Sequence, residues 1–284
     1  MAPEDKAPAI GVFDSGFGGL TVLRALIERL PNARFAFLGD TARLPYGSKS
    51  RRTIARYAAQ SAQFLVNEQG AEFLVIACNT ASALALDAIQ DAVSVPVLGV
   101  IEPGAAAARA ASHSGDVFVV ATEATVHSQA YTAAFAAHGL RTIEKACPLL
   151  VPLVEEGWTD HPVTAEVIEI YLNELRAEAE SRGMSPDTLV LGCTHYPLLR
   201  QLFEGAVRPG AKVIDSAEAV AQAAVELVNT RARDGGQAGQ PQDSAGVETE
   251  IRCFATDSVE KFERLGSRFL GHPVGQVELV DLGG

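Results

Sequence analysis

Two octapeptides of the chain, Phe73-Leu-Val-Ile-Ala-Cys-Asn-Thr80 and Thr188-Leu-Val-Leu-Gly-Cys-Thr-His195, align without a gap. Each opens with an unbroken apolar run, the pattern of a strand buried on both faces, and each reaches a cysteine followed by two polar residues. A helical segment follows both, so each cysteine is expected at the carboxyl end of a buried strand, where open α/β sheets gather their ligands. Apolar runs at 9–13, 34–38, 73–77, 97–101, 117–121, 189–192 and 213–215 carry the strand signal, while 19–30, 53–69, 81–93, 162–181 and 217–230 read as amphipathic helices. This alternation predicts an α/β fold, and the echo predicts two pseudo-symmetric α/β lobes. Each lobe has a mainly parallel sheet with flanking helices, and the site lies in the cleft between them. The expected N-terminal lobe comprises 1–100 plus 215–284 and carries Asp14 and Cys78; the second comprises 101–214 and carries Cys193. Residues 234–250, rich in Gly, Gln, Ser and Pro, read as a mobile surface loop.

With 284 residues and 48% hydrophobic content, the chain can bury a large core as one or two domains. Its first nine residues hold charges and prolines and no apolar run, and no stretch nears the roughly 18 apolar residues that cross a bilayer, so an unexported, cytoplasmic protein is expected. Cys78, Cys147, Cys193 and Cys253 stand far apart with no CxxC pair, which speaks against a zinc site or a compact disulfide scaffold and fits free thiols in a reducing compartment. A formal net charge of −12, from 35 acidic and 23 basic side chains, argues against sequence-independent nucleic-acid binding.

A single cysteine after an apolar strand is most simply a small buried hydrophobe. Two in matched settings suggest chemistry. A cysteine ahead of a helix meets unpaired backbone N–H groups and the positive end of the dipole, both of which favour thiolate. Asn79 and Thr80, or Thr194 and His195, place hydrogen-bonding groups beside each sulfur, and Pro197 suits the first turn of a helix after Cys193. Racemisation needs a base on one face of a carbon and an acid on the other, which one thiolate and one thiol across a cleft supply, with a pH optimum bounded on both sides. Acid–base catalysis contributes only about 10² to 10⁴ in rate, so an amino-acid α-proton also demands positioning and preorganised donors. Asp14-Ser-Gly-Phe-Gly-Gly19, between a strand and a helix, is a donor-rich turn of the kind many α/β proteins use for phosphates.

Seven blocks, in order, resemble glutamate racemases, the enzymes that make D-glutamate for bacterial peptidoglycan. They are Gly11-Val-Phe-Asp-Ser-Gly-Phe-Gly-Gly-Leu20, Gly39-Asp-Thr-Ala-Arg-Leu-Pro-Tyr-Gly47, Ala77-Cys-Asn-Thr-Ala-Ser82, Gly99-Val-Ile-Glu-Pro-Gly104, Cys147-Pro-Leu-Leu-Val-Pro-Leu-Val-Glu155, Leu191-Gly-Cys-Thr-His-Tyr-Pro197 and Val213-Ile-Asp-Ser216. The resemblance implies that Cys78 deprotonates D-glutamate and Cys193 deprotonates L-glutamate, assisted by Asp14 and His195. It implies substrate binding by Asp14, Ser15, Tyr46, Gly47, Asn79, Thr80, Thr194 and His195, a homodimer, and neither pyridoxal phosphate nor a metal. The sequence departs from the family at His127 and Gln129, where a basic residue and a glycine are commoner, which touches packing or subunit contacts rather than chemistry. The short N-terminus resembles members without a regulatory extension, so dependence on a cell-wall precursor is not expected.

Structural roles compete at several positions. Asp14 suits a loop cap, Tyr46 and Gly47 a turn after Pro45, and His195 a satisfied core histidine. Asp40 and Glu155 read as solvated or loop-bracing carboxylates, and Cys147 and Cys253 as structural. Rival functions are racemisation of aspartate or another acid, gyrase inhibition, for which the dispersed carboxylates offer no DNA-mimicking segment, and phosphoryl transfer at Asp14, which leaves the paired cysteines unexplained.

Overall fold

The computed structural model describes residues 7–234 and 249–283. Its ten strands are β1 (Ala9–Asp14), β2 (Arg34–Gly39), β3 (Phe73–Ile76), β4 (Val97–Gly99), β5 (Asp116–Ala121), β6 (Arg141–Ala146), β7 (Thr188–Gly192), β8 (Lys212–Asp215), β9 (Ile251–Ala255) and β10 (Val277–Leu279). They form two sheets, β10-β9-β2-β1-β3-β4 and β6-β5-β7-β8, in which every pairing is parallel. Every residue of β1, β3 and β7 is buried, which is why these strands read as apolar runs without alternation.

The order β2-β1-β3-β4 recurs as β6-β5-β7-β8, so the two lobes share one topology. In each, the chain leaves its first strand toward one neighbour and later crosses to the opposite side. The strand order therefore reverses between β1 and β3, and again between β5 and β7. These reversals are the places where the loops at the carboxyl ends diverge and leave a crevice. Asp14 ends β1 and Cys78 follows β3; Thr122 follows β5 and Cys193 follows β7. The echoed octapeptides are thus equivalent strands with equivalent exits.

Several sequence expectations need correction. The apolar run at 97–101 is a strand only to Gly99, and Ile101 opens the helix Ile101–Ala111, because a short apolar run does not separate strand from buried helix. The helix expected at 81–93 is two helices, Asn79–Leu84 and Leu86–Ala92, broken at Ala85. The one expected at 53–69 runs Arg51–Gln63 and continues as a wider π-type turn, Phe64–Glu68. Strands β6, β9 and β10 have no counterpart among the expected elements: β6 is a half-exposed edge strand of mixed polarity, and β10 has only three residues. The loop expected at 234–250 lies, but for its ends, outside the described residues.

Helices Glu123–Ser128 and Ala130–Ala137 meet at Gln129, whose φ of 56° and ψ of 20° are left-handed. A side chain there costs about 1–2 kcal/mol, a physical reason for the glycine that the resemblance led us to expect at this position. Replacing Gln129 by Gly removes that cost and adds back about 0.4–1 kcal/mol of unfolded-chain entropy. Gln129→Gly is therefore expected to stabilise the protein by roughly 0.5–1 kcal/mol, read as a higher urea midpoint at unchanged slope.

Candidate active site

Both strand-order reversals open on one cavity of about 260 Å³. The first lobe contributes 15–17, 44–48 and 78–80 to its wall, and the second contributes Thr122, Glu123, Pro148, Val151, Pro152, Glu155 and 193–196. The structure thus brings Ser15, Tyr46, Gly47, Cys78, Asn79, Thr80, Cys193, Thr194 and His195 together, as the sequence led us to expect. Asp14 stands behind this wall, buried, with Oδ2 accepting the Gly16 N–H at 3.0 Å. Close approach of the lobes requires glycine at position 18, where a Cβ would sit 2.6 Å from His195 Nδ1.

All four cysteines are free and buried. Cys78 caps the helix Asn79–Leu84, its sulfur accepting the Ala81 N–H at 3.4 Å and lying 3.5 Å from Ser15 Oγ. Burial nonetheless pushes the Cys78 thiol up to about 11; the Asp14 charge adds to the rise, and Ser15 and Ala81 oppose it. Cys193 has no α-helix directly behind it: a 3₁₀ turn, Tyr196–Leu199, comes first and the helix Arg200–Ala206 after. Burial pushes its thiol up further still, against the His195 backbone N–H, and a charge on Cys78 raises it again. At Cys78 the expected helix-terminus preference for thiolate is therefore overridden by desolvation, and at Cys193 the expected helix start is absent. A thiolate at one cysteine disfavours a thiolate at the other. Cys147 and Cys253 lie outside the cavity wall; Cys147 Sγ donates to the Lys145 carbonyl at 3.6 Å, and Cys253 is buried within β9.

Three buried polar atoms around the cavity have no hydrogen-bond partner: Asp14 Oδ1, Asn79 Oδ1 and His195 Nε2. Burial raises the Asp14 pKa, and His195 with the backbone N–H groups of Gly16, Gly19 and Ser15 pulls against it. His195 Nε2 lies 3.4 Å from Glu155 Oε1, without hydrogen-bond geometry, while Glu155 Oε2 accepts from Lys261 Nζ at 3.1 Å. Burial alone would raise Glu155; His195 and Lys261 outweigh it and hold the carboxyl below its ordinary value. Asp40 braces the loop as expected: Arg43 Nε meets both its oxygens at 2.8 Å, Thr256 Oγ1 donates at 3.0 Å and the Tyr46 hydroxyl at 2.5 Å. The Tyr46 phenol is therefore committed to Asp40, and Tyr46 offers the cavity its ring and main chain.

The sequence reading missed four residues at or beside the cavity. Glu155, read as a solvated or loop-bracing carboxylate, is in the cavity wall beside His195. Thr122 and Thr125 share hydroxyl hydrogen bonds with Thr80, at 3.0 and 3.2 Å, across the cleft. Tyr131 receives a hydrogen bond from Asn79 Nδ2 at 2.8 Å. The only sequence signal for the last three was the segment 121–131 itself. Among the described residues, no group of three or more His, Cys, Asp and Glu side chains is placed to hold a metal ion. Nor, among them, is any helix long and apolar enough to cross a membrane.

Comparison with known proteins agrees with this geometry. Residues 10–224 match the Asp/Glu/hydantoin racemase family model. A glutamate racemase of Koribacter versatilis is 53% identical over 98% of this chain and 99% of its own. The solved structure of a glutamate racemase isoform from Bacillus anthracis superposes with a TM-score of 0.84 at 36% identity, covering 98% of each chain. That of the Francisella tularensis glutamate racemase in complex with D-glutamate gives 0.82 at 33% identity, again over 98% of each.

The buried thiols set a measurable reactivity. Carbamidomethylation of Cys78 by iodoacetamide is expected to be slow at pH 7 and to rise about tenfold per pH unit through pH 9, followed by peptide mass spectrometry. A plateau near pH 8 would show that the donors around Cys78 outweigh its desolvation.

Proposed function

The chain belongs to the Asp/Glu/hydantoin racemase family, and on that premise we propose that it interconverts L- and D-glutamate without a cofactor, Cys78 and Cys193 exchanging the α-proton from opposite faces. The observation that carries this reading is the arrival of two buried cysteines, from equivalent strands of two sheets, at one small cavity. The full-length likeness to proteins named glutamate racemase supports the substrate. We extend the reading to a cytoplasmic homodimer that supplies D-glutamate for peptidoglycan. Its lobes are 1–100 with 215–284, and 101–214.

In this mechanism one thiolate removes the α-proton and the opposite thiol returns another. Asp14 acts beside Cys78, and the His195 backbone N–H faces Cys193. The unpaired oxygens of Asp14 and Asn79 suit the substrate ammonium, while the hydroxyls of Ser15, Thr80 and Thr194, with His195 and the Tyr46-Gly47 main chain, suit its carboxylates. With a Cys78 pKa of about 11, only about one unliganded molecule in 10⁴ holds that thiolate at pH 7. The positive ammonium entering beside the sulfur offsets this scarcity, so substrate helps to ionise its own base.

Enantiomers have equal free energy, so kcat/KM must be equal in the two directions. Their kcat and KM need not be. Burial raises both thiols, and a charge on one disfavours a charge on the other, so the two singly ionised forms, one for each enantiomer, need not be equally populated. KM and kcat are therefore expected to differ between the enantiomers by one common factor, measured by polarimetry in both directions.

The decisive test incubates the protein, in EDTA and without pyridoxal phosphate, with L-glutamate, D-glutamate and L-aspartate. Glutamate alone should racemise, and Cys78→Ala or Cys193→Ala should each lose at least about 10²-fold. Racemisation of aspartate instead would overturn the substrate, and racemisation of neither would overturn the activity.

A further inference from the structure

Tyr131 is fully buried on the helix Ala130–Ala137 of the second lobe and touches the immediate neighbours of both cysteines. Its ring lies against Gly192, the residue before Cys193, so closely that a Cβ there would stand 2.9 Å from Tyr131 Cε2. Its hydroxyl accepts from Asn79 Nδ2 at 2.8 Å, and Asn79 is the residue after Cys78. Phe135 packs edge-on behind the ring at 5.6 Å, and a Cβ at Gly104 would meet the opposite ring edge at 3.7 Å, so the ring is held on several sides.

We propose that Tyr131 is a positioning residue that gauges the distance between the two cysteine-bearing segments, its ring seating the Cys193 strand end and its hydroxyl tethering the Cys78 helix through Asn79. The proposal rests on the racemase reading for its effect on turnover. Packing alone accounts for the ring but not for the hydroxyl. A buried phenol costs free energy unless it is hydrogen-bonded, and phenylalanine would fill the same space without that cost. The single hydrogen bond given to this hydroxyl crosses the cleft to the second side chain in the run Cys78-Asn79-Thr80. That bond engages one end of the Asn79 amide and leaves Oδ1 buried and unpartnered beside the cavity, which fixes the polar group awaiting substrate. A proton carrier on each face of one carbon works only if both stand at reacting distance together, and small misplacements cost large factors in rate. Tyr131 is placed to enforce that condition without touching substrate.

The test compares wild type, Tyr131→Phe, Asn79→Ala and the double variant. In the absence of substrate, carbamidomethylation at fixed pH should be several-fold faster at Cys78 and Cys193 in Tyr131→Phe, with Cys147 and Cys253 unchanged as internal controls. In turnover, Tyr131→Phe should lose about tenfold in kcat/KM, the worth of one hydrogen bond, under conditions where the variant remains fully folded. The double variant should be no worse than Asn79→Ala, because the two act through one contact. Faster modification of all four cysteines would reassign Tyr131 to general stability. Unchanged modification with kcat/KM within twofold of wild type, or losses that multiply in the double variant, would overturn the proposal. If the wild type racemises no glutamate, the racemase reading fails, while the cysteine modification rates still decide the positioning role.

Discussion

Parallel pairing of β1 with β3, and of β5 with β7, is the constraint on which the rest of the molecule depends. Parallel neighbours require a crossover between them, so the strands of one sheet deliver their carboxyl ends to one edge. Where the strand order reverses, the two exits diverge and a crevice remains. With Ile10 opposite Phe73 and Phe13 opposite Ile76, β1 ends at Asp14 and β3 lets go just before Cys78. With Val117 opposite Thr188 and Ala121 opposite Gly192, β5 and β7 release Thr122 and Cys193 in the same way. A slip of one residue in either pairing would turn every side chain to the opposite face of its sheet and send the cysteine away from the cleft. The apolar content of β3 and β7 is therefore a positional device as much as a source of stability.

The cavity is where the protein leaves its polar groups unfinished. Each buried unpaired donor or acceptor costs about 1–3 kcal/mol, and folded proteins hold few of them. Asp14 Oδ1, Asn79 Oδ1 and His195 Nε2 concentrate that cost around one space. Phe17 and Phe269 flank the His195 ring at centroid distances of 6.0 and 5.0 Å, and Phe262 supports Phe17 from the side. The proposed substrate, a zwitterion, carries partners of both signs for these atoms.

The parts of this architecture that were legible in the sequence are those set by local physics. Burial on both faces leaves an unbroken apolar run, so β1, β3, β5 and β7 announced themselves, and the repeated strand-cysteine-polar pattern announced the second lobe. Edge strand β6 carries Arg141, Thr142, Glu144 and Lys145, half-exposed, and gives no such signal. Ile101 looked like a strand residue because it continues an apolar run, and only the tertiary structure assigns it to a helix. The site residues close in sequence to a cysteine were readable. Glu155 and Tyr131 were not, because their meaning lies in what they touch: His195 and Lys261 in one case, Asn79 and Gly192 in the other. Desolvation of the thiols was equally hidden, since a cysteine before a helix looks electropositive until its burial is known.

Desolvation also bears on how a weak carbon acid could be ionised here. A thiolate of ordinary basicity is a poor match for an α-proton, and raising the Cys78 thiol to about 11 makes its thiolate a stronger base. Below that pKa, however, each further rise removes thiolate in full proportion, while the proton-transfer rate gains only the fractional Brønsted share. Burial by itself would therefore slow the proposed reaction at neutral pH. In the proposed mechanism it becomes useful only if the thiolate is restored at the moment of need, by a charge that arrives with the substrate. In a permanently charged pocket that charge would act equally on the resting protein. Carried by the substrate's ammonium, it acts only in the complex, where a strong base and an acidic thiol then face the same carbon.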